Sequence, residues 1–247
     1  MNTGIIIQAR QGSTRFPGKM LKPFYNNESV LDILISKLKK IYPSVPLVLA
    51  TTQNKEDDAI EELGNKHNVE VYRGSTENVL GRFIEAAEKN NLDSIIRICA
   101  DNPFLDMRHI QILMDELEKG NLDYVSYQTP EGVPVIQSHL GLFAEAVSLD
   151  ALKKVANQTV NPEYLEHVTN YIYKHPDEFN IKFLSLPAYF KDADTIRLTL
   201  DTEADFELEK EIYKELRLRN TYKLIKHIKS RPEWLEIMQK EIRKNQK

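Results

Sequence analysis

The chain has 247 residues and a formal net charge of −4, so it is long enough for one large domain with its own hydrophobic core. The acidic balance argues against a general affinity for nucleic acid, and any basic site must be local. The single cysteine, Cys99, excludes an internal disulfide, no apolar run approaches the length of a membrane span, and the N-terminus has no basic leader segment. These features predict a cytoplasmic protein with neither nucleic acid nor a membrane as partner.

The first predicted strand, residues 4–9, empties into a loop that is rich in glycine and positive charge. Glycine lets a ligand approach the backbone, and Arg and Lys neutralise negative charge, so the loop is expected to bind a polyphosphate. The order of a P-loop, G-x4-G-K-[ST], and the G-x-G-x-x-G of dinucleotide-binding enzymes are both absent. The residues concerned are Arg10, Gly12, Ser13, Thr14, Arg15, Gly18 and Lys19.

Predicted strands alternate with predicted helices as far as residue 127. The strands are near-continuous apolar runs, which indicates that helices cover both faces of the sheet. The pattern therefore predicts an α/β, doubly wound, mostly parallel, Rossmann-like sheet, which binds ligands beyond the carboxyl ends of its strands. The predicted strands are residues 4–9, 47–50, 69–72, 93–99 and 122–127, and the predicted helices are 29–41, 56–66, 79–87 and 107–117.

The alternation breaks near residue 128, at a turn-rich stretch that ends at Pro134. Asn161-Pro162 then predicts the start of a helix that continues to Ile172. Two further strands are predicted at 180–186 and 195–200. The segment 205–247 is predicted to be helical, with Trp234 packing its last part against the rest of the molecule.

Two aspartates follow predicted strands and are candidates for a metal site. Asp101 comes just after the strand that ends at Cys99, and Mg²⁺ typically takes one or two protein carboxylates beside phosphate oxygens. A turn, or a cap for the helix near Asp106, explains Asp101 equally well, and spacing leaves both interpretations open. Asp201 taken alone favours a helix N-cap, because Asp201-Thr-Glu-Ala is a good helix start. The pair makes a two-carboxylate site plausible.

The histidines are scattered and lack the spacing of metal ligands. Glu166 and His167 share a predicted helix and are candidates for contact with an acceptor molecule, although a structural role for His167 is at least as common.

Residues 6–21, IIQARQGSTRFPGKML, resemble the opening of the spore-coat-polysaccharide-type cytidylyltransferases. These enzymes are relatives of the acylneuraminate and 3-deoxy-manno-octulosonate cytidylyltransferases. The resemblance implies a glycosyltransferase-A-like, three-layer sandwich with a small inserted subdomain, within a single nucleotidyltransferase domain, 1–247. It also implies Mg²⁺-dependent transfer of CMP from CTP to an acceptor. The likeness continues through residues 50–60, 72–83, 97–103, 166–172 and 197–207, and so covers residues 4 to about 215.

The resemblance implies roles for individual residues. Asp101 and Asp201 match the two metal-binding aspartates of the family. The resemblance therefore favours a metal-binding role for Asp101 over a turn or cap, and it replaces the helix cap favoured for Asp201 alone with a metal-binding role. Glu166 and His167 are expected at the acceptor. The residues expected to act in catalysis are Arg10, Arg15, Lys19, Asp101 and Asp201. The residues expected at the nucleotide are Gln8, Ala9, Arg10, Gly12, Ser13, Lys19, Thr51, Thr52, Arg73 and Ala100.

Two departures from the family pattern stand out. Ala100 replaces the usual glycine before the first metal-binding aspartate, and the stretch 130–139 lacks the acidic residues that relatives with a sugar-type acceptor carry there. The second departure leaves the acceptor open. Relatives are often dimers that use the region after the sheet, so residues 128–190 are expected to form a subdomain for acceptor binding and homodimerisation.

The expected function is transfer of CMP from CTP to a sugar, a sugar acid or a phosphorylated acceptor, with release of pyrophosphate, for surface polysaccharide or glycan precursors. One alternative keeps the chemistry and uses UTP, GTP or dTTP. Another is a nucleotide-binding protein without catalysis that takes part in polysaccharide assembly. A dehydrogenase is disfavoured because the glycine fingerprint is absent.

Overall fold

The computed structural model describes residues 1–216 and 220–245, and the bounds below refer to these residues. The strands are β1 (Thr3–Gln8), β2 (Pro23–Tyr25), β3 (Glu28–Ser29), β4 (Leu47–Thr52), β5 (Glu70–Gly74), β6 (Ser94–Cys99), β7 (Tyr124–Gln128), β8 (Glu145–Ser148) and β9 (Ile181–Ser185). The helices are α1 (Val30–Ile41), α2 (Asp58–Lys66), α3 (Val79–Lys89), α4 (Met107–Glu118), α5 (Leu149–Gln158), α6 (Pro162–Glu166), α7 (Asn170–Lys174), α8 (Glu203–Leu216), α9 (Thr221–Lys229) and α10 (Pro232–Lys244).

Seven of these strands form one sheet in the order β5-β4-β1-β6-β8-β7-β9, and β2 pairs with β3 in a separate hairpin. β1 is parallel to both β4 and β6, and only β8 runs antiparallel to its neighbours. Gln8 pairs with Ala50 on one side and Cys99 on the other, so the carboxyl ends of β1, β4 and β6 lie at one edge. The predicted mostly parallel α/β sheet is confirmed.

Helices cover both faces of the sheet and create two hydrophobic cores. Ile5 and Ile7 pack into the core formed with α1, α4 and α8, whereas Ile6 packs into the core formed with α3 and α5. Because successive side chains of a strand point to opposite faces, the continuous apolar run of β1 serves both cores at once. Three layers result, as predicted.

The predicted strand at 195–200 was wrong. Ile196, Leu198 and Leu200 are fully buried, but the segment pairs with no strand of the sheet. Its backbone bonds loops instead: Leu198 N–H donates to the His139 carbonyl (2.8 Å), and Leu200 N–H donates to the Asp101 carbonyl (2.9 Å). Alternating burial therefore arose here without a ladder of strand hydrogen bonds.

The interpretation of Asp201 as a helix cap was also wrong. The cap of α8 lies one residue later, where Thr202 Oγ1 accepts from the backbone N–H of Asp205 (3.2 Å) and Asp205 Oδ2 accepts from that of Thr202 (2.9 Å). The cap of α4 is Asp106, whose side chain accepts from Arg108 N–H, so Asp101 is not a cap either. Both candidate metal ligands are free of capping roles.

The segment 128–190 supplies β8 and β9 to the main sheet, and its predicted helix from Asn161 to Ile172 is two short helices. The chain leaves the helical conformation at His167 (φ −98°, ψ 71°), which separates α6 from α7. β8 and α5 were not predicted. Dimerisation through this segment stays a prediction.

The C-terminal segment is helical as predicted, and residues 217–219 and 246–247 lie outside the described residues. Trp234 of α10 is 1% exposed, and its Nε1–H donates to Glu211 of α8 over 3.1 Å, so it does pack α10 against the body. No helix in residues 1–216 and 220–245 combines the length and apolar character of a membrane span.

Candidate active site

The loop after β1 is held by hydrogen bonds within itself and to a buried aspartate. Gln11 N–H donates to Asp57 Oδ1 over 2.7 Å, and the Gln11 carbonyl accepts from the backbone N–H groups of Ser13 (2.8 Å) and Gly18 (3.1 Å). Gly18 has a φ of 73°, which glycine adopts without steric cost. The loop backbone is therefore fixed by the protein itself.

The side chain of Lys19 extends from this loop and places its ammonium group near the two candidate metal ligands. Lys19 Nζ lies 3.2 Å from Asp101 Oδ2 and 3.6 Å from Asp201 Oδ1. Arg15 Nη2 lies 2.7 Å from the same Asp201 Oδ1. The structure thus brings together four predicted catalytic residues that are separated by up to 186 positions in the chain.

Arg197, which was not predicted as a site residue from the sequence, holds the other oxygen of Asp201. Its Nη2 lies 3.0 Å from Asp201 Oδ2, and its Nε and Nη2 donate to the two oxygens of Asp205 (2.8 and 2.9 Å). The guanidinium is completely buried, so these bonds fix the Asp201 carboxylate rigidly. An arginine inside an apolar run, four residues before one aspartate and eight before another, was the signal that could have found it.

Half of the residues predicted at the nucleotide lie at the ends of β1, β4 and β6, namely Gln8, Ala9, Thr51, Thr52 and Ala100. Ala9, Thr51 and Ala100 are all buried there. Gly12 is packed so closely that a Cβ atom would lie 2.5 Å from Glu56 Oε1. The position of these residues agrees with the expectation that ligands bind beyond the strand ends.

Arg73, at the end of β5, is engaged by the protein. It donates to the backbone carbonyls of Thr52 (2.9 Å) and Asn54 (2.8 Å), and it pairs with Asp58 and Glu61 at 2.7 Å each. These bonds clamp the turn between β4 and α2. Its predicted contact with the nucleotide stays a prediction.

Arg82 of α3 is a second buried arginine near the loop. It is fully buried, and its Nη1 donates to the Ser75 carbonyl over 2.7 Å. Burial, and next the positive charge of Arg10, lower the pKa of Arg82 to about 10. Arg82 therefore stays charged at neutral pH and fixes the turn that follows β5.

A cavity of about 800 Å³ opens beside the carboxylates. Gln8 lines it together with Glu166 and His167, so both predicted acceptor-binding residues face the same space as the candidate metal ligands. Arg10 Nη2 lies 3.7 Å from Glu166 Oε1. Residues 130–139, which depart from the family pattern, contribute apolar lining to the cavity through Val133, Val135 and Ile136. The cavity also contains Arg15, Asp101 and Asp201 in its lining.

A buried polar network sets the position of Gln8. Arg97 of β6 pairs with Glu145 of β8 at 2.5 Å, and its Nη2 donates to Gln8 Oε1 over 3.2 Å. Glu145 also accepts from Thr169 Oγ1 (2.8 Å) and from the Tyr124 hydroxyl. Because arginine only donates, Gln8 presents its oxygen to Arg97 and turns its amide hydrogens elsewhere. Gln8 lines the same cavity as residues of α6 and α7.

A family model described as Cytidylyltransferase matches residues 4–228. This chain belongs to the cytidylyltransferase family. The spore coat polysaccharide biosynthesis protein SpsF of Bacillus subtilis (strain 168) is 37% identical over 85% of this chain and 85% of its own. A cytidylyltransferase structure from Leptospira borgpetersenii serovar Hardjo-bovis covers 95% of this chain and 97% of its own with a TM-score of 0.83 and 30% identity. The chain is thus a CTP-dependent nucleotidyltransferase.

The fold is shared more widely. A structure of CMP:2-keto-3-deoxy-manno-octonic acid synthetase complexed with CTP covers 87% of this cytidylyltransferase and 100% of its own chain, with a TM-score of 0.64. At 14% identity this likeness concerns the fold alone.

The donor set of this cytidylyltransferase fits Mg²⁺. In the described part of the chain, no group of three or more His, Cys, Asp or Glu residues converges as a metal cage. Asp101 and Asp201, however, both approach one cation, the Lys19 ammonium. Two carboxylates that meet at one positive charge suit Mg²⁺, which keeps waters and phosphate oxygens as its other ligands.

Glu209 of α8 lies beneath this site and is completely buried. Burial, and next the nearby Asp205 carboxylate, raise the pKa of Glu209 well above its ordinary value of 4.5. Neither carboxyl oxygen accepts a hydrogen bond from another described residue. The folded protein therefore keeps Glu209 protonated at pH values at which the unfolded chain ionises it.

Glu209→Gln is expected to raise the free energy of unfolding by an amount that grows as pH rises above about 4.5, the ordinary pKa of Glu. In the wild type, stability falls over this range because only the unfolded state releases the Glu209 proton. Glutamine has no proton to release, so the free energy of unfolding of the variant does not fall with pH for this reason. Urea unfolding at several pH values tests the prediction, with Glu207→Gln on the exposed face of α8 as the control. A difference between Glu209→Gln and wild type that does not vary with pH would contradict it.

Proposed function

We propose that this cytidylyltransferase transfers CMP from CTP to an oxygen of a sugar, sugar acid or phosphorylated acceptor and releases pyrophosphate. One observation carries the proposal: the cationic loop and the two aspartates meet beside a cavity that also contains Glu166 and His167. The donor chemistry and the acceptor space are thus adjacent.

In the proposed reaction an acceptor oxygen attacks the α-phosphorus of CTP and forms a new P–O bond. The bond from the α-phosphorus to the oxygen that bridges to the β-phosphorus breaks, and pyrophosphate leaves with that electron pair. Lys19, Arg15 and Arg10 donate to the triphosphate oxygens and offset the charge that develops on the leaving group. The chain contributes mainly by positioning and charge stabilisation.

Asp101 and Asp201 would hold Mg²⁺, which when bound neutralises phosphate charge and acts as a Lewis acid at the phosphoryl oxygens. Arg197 and Arg15 support this proposal because they orient Asp201, one through each carboxylate oxygen. The carboxylate directions are thereby set by the protein.

Glu166 and His167 are proposed to contact the acceptor. Both line the cavity, and the pairing of Glu166 with Arg10 ties the acceptor side to the cationic loop. An acceptor group that is already anionic needs no general base. The name of the SpsF relative supports a role in surface polysaccharide or glycan precursor synthesis.

Calorimetric titration with CTP, UTP, GTP and dTTP in the presence of Mg²⁺ tests the nucleotide. We expect CTP to bind at least about tenfold more tightly than the other three, a difference of about 1.4 kcal/mol. Tighter binding of another nucleotide would indicate that this nucleotide, and not CTP, is the donor. Light scattering tests the proposed homodimer in the same samples.

Pyrophosphate release across a panel of acceptors tests catalysis. The panel contains 3-deoxy-manno-octulosonate, an acylneuraminate, neutral sugars and sugar phosphates. Release that depends on both CTP and one acceptor supports the proposal. Tight CTP binding without release for any member of the panel would favour a nucleotide-binding partner without catalysis.

A further inference from the structure

We propose that Lys19 is the resident cation of the two-carboxylate site, and that a divalent metal ion binds there only by displacing it. The proposal rests on the proposed function and assigns Lys19 a second role within it. In this role Lys19 is a positioning residue, because it acts on Asp101 and Asp201 before any substrate is bound.

The first observation is the position of the ammonium group. Lys19 Nζ lies between Asp101 Oδ2 (3.2 Å) and Asp201 Oδ1 (3.6 Å), and it also donates to the Leu200 carbonyl. Lys19 is 7% exposed and Asp201 is 6% exposed, so solvent screens this contact little. A compact cation already occupies the point at which the two carboxylates meet.

The second observation is that both oxygens of the Asp201 carboxylate already face cations. Arg15 contacts the same Asp201 oxygen as Lys19, and Arg197 takes the other one. A divalent cation that uses both aspartates therefore needs an Asp201 oxygen that already faces a cation, and it must bind close to the Lys19 ammonium beside Asp101. A divalent cation at contact distance from these oxygens is repelled by the buried Lys19 ammonium, which must therefore move away when the metal binds.

Displacement requires a new partner for the ammonium, and a triphosphate supplies one. Lysine is a flexible point charge, so Nζ can exchange carboxylate oxygens for phosphate oxygens by rotation of its side chain. Metal and CTP then bind cooperatively, since CTP withdraws Lys19 from the carboxylates that the metal needs. Without nucleotide, Lys19 opposes metal binding and keeps the two aspartates together.

This role predicts that one substitution strengthens metal binding while it weakens nucleotide binding. Lys19→Met removes the charge and keeps the length of the side chain, so it is expected to bind Mn²⁺ about ten- to a hundredfold more tightly than wild type in the absence of nucleotide. The same variant is expected to bind CTP less tightly. A residue that merely supported the fold would weaken both ligands or neither.

The experiment titrates each protein with Mn²⁺ alone and follows the free ion by electron paramagnetic resonance. Lys22→Met is the matched control, because it removes the same charge from the same part of the chain. Lys22 is exposed, and its Nζ lies 4.4 Å from the centre of the Phe16 ring. Lys19→Arg keeps the charge and is expected to resemble wild type. Lys19→Gln provides a second uncharged side chain if Lys19→Met does not fold.

An Mn²⁺ affinity of the uncharged Lys19 variants equal to or below that of wild type would overturn the proposal. A second arm repeats the titration with CTP, which is expected to increase Mn²⁺ affinity more in wild type than in Lys19→Met. An equal increase in both would also overturn it. If wild type binds no CTP, the proposed function fails, whereas the nucleotide-free comparison still decides the role of Lys19.

Discussion

Asp101→Asn is expected to lower kcat for CMP transfer by about a hundredfold or more, with little change in the free energy of unfolding. Asparagine keeps the shape of the side chain and removes the charge that offsets Lys19 and would hold Mg²⁺. Asp101 is a quarter exposed, and among residues 1–216 and 220–245 its side chain forms an ion pair only with Lys19, so the fold depends on it little. Steady-state pyrophosphate release with saturating CTP and acceptor measures the effect.

Asp115→Asn on the exposed face of α4 is the matched control, because it makes the same chemical change away from the cavity. Its turnover is expected to equal that of wild type. Near-normal turnover of Asp101→Asn would remove Asp101 from the catalytic residues. A large loss of stability in Asp101→Asn would make it a structural residue instead.

Arg97→Met is expected to destabilise the protein by about 3–5 kcal/mol, because it leaves the Glu145 carboxylate buried without its cation. Glu145 is 1% exposed and lies in the middle of the sheet, where water does not replace the lost charge. Its bonds from Tyr124 and Thr169 remain but supply no full positive charge. Urea unfolding at neutral pH measures the loss.

The double variant Arg97→Met, Glu145→Leu is expected to recover most of this loss, since neither buried charge remains. Lys153→Met is the control for an exposed ion pair. Lys153 lies 2.7 Å from Glu88 and both side chains are exposed, so solvent screens the pair and its removal is expected to cost far less stability than Arg97→Met. Equal effects of Arg97→Met and Lys153→Met would contradict the assignment of a buried pair.

The parallel part of the sheet could be predicted because each of its strands can be recognised from its own sequence. β1, β4 and β6 are apolar runs that end at polar residues, and their burial on both faces follows from that pattern. β8 could not be found in the same way. Its run contains Glu145, which is tolerated only because Arg97, Tyr124 and Thr169 reach it from other elements.

The residues 196–200 show the converse case. Ile196, Leu198 and Leu200 have the burial of a strand, yet the partners of their backbone are loops around His139 and Asp101. Strand formation requires a neighbouring strand with an open edge, and sequence pattern carries no information on that neighbour. The apolar pattern therefore predicted burial correctly and pairing wrongly.

The candidate site was predicted residue by residue, and its assembly depends on tertiary contacts. The place of Asp101 at a strand end left its role open until the family resemblance decided it, and Asp201 lies beside it because Leu200 N–H bonds the Asp101 carbonyl. The capping interpretation of Asp201 failed because Thr202 and Asp205 provide the cap. Arg197 was missed because its run was interpreted from the apolar residues alone, although its spacing to Asp201 and Asp205 indicates the buried ion pairs.

The most direct test of the central claim is mass spectrometry of reactions that contain wild-type protein, CTP labelled with ¹⁸O at the α-phosphate, Mg²⁺ and the acceptor panel. The account predicts a CMP-linked acceptor that carries the label, together with one unlabelled pyrophosphate for each product. A product that carries a phosphate from the γ position, or an acceptor linked to UMP, GMP or dTMP in parallel reactions with those nucleotides and no product from CTP, would contradict it.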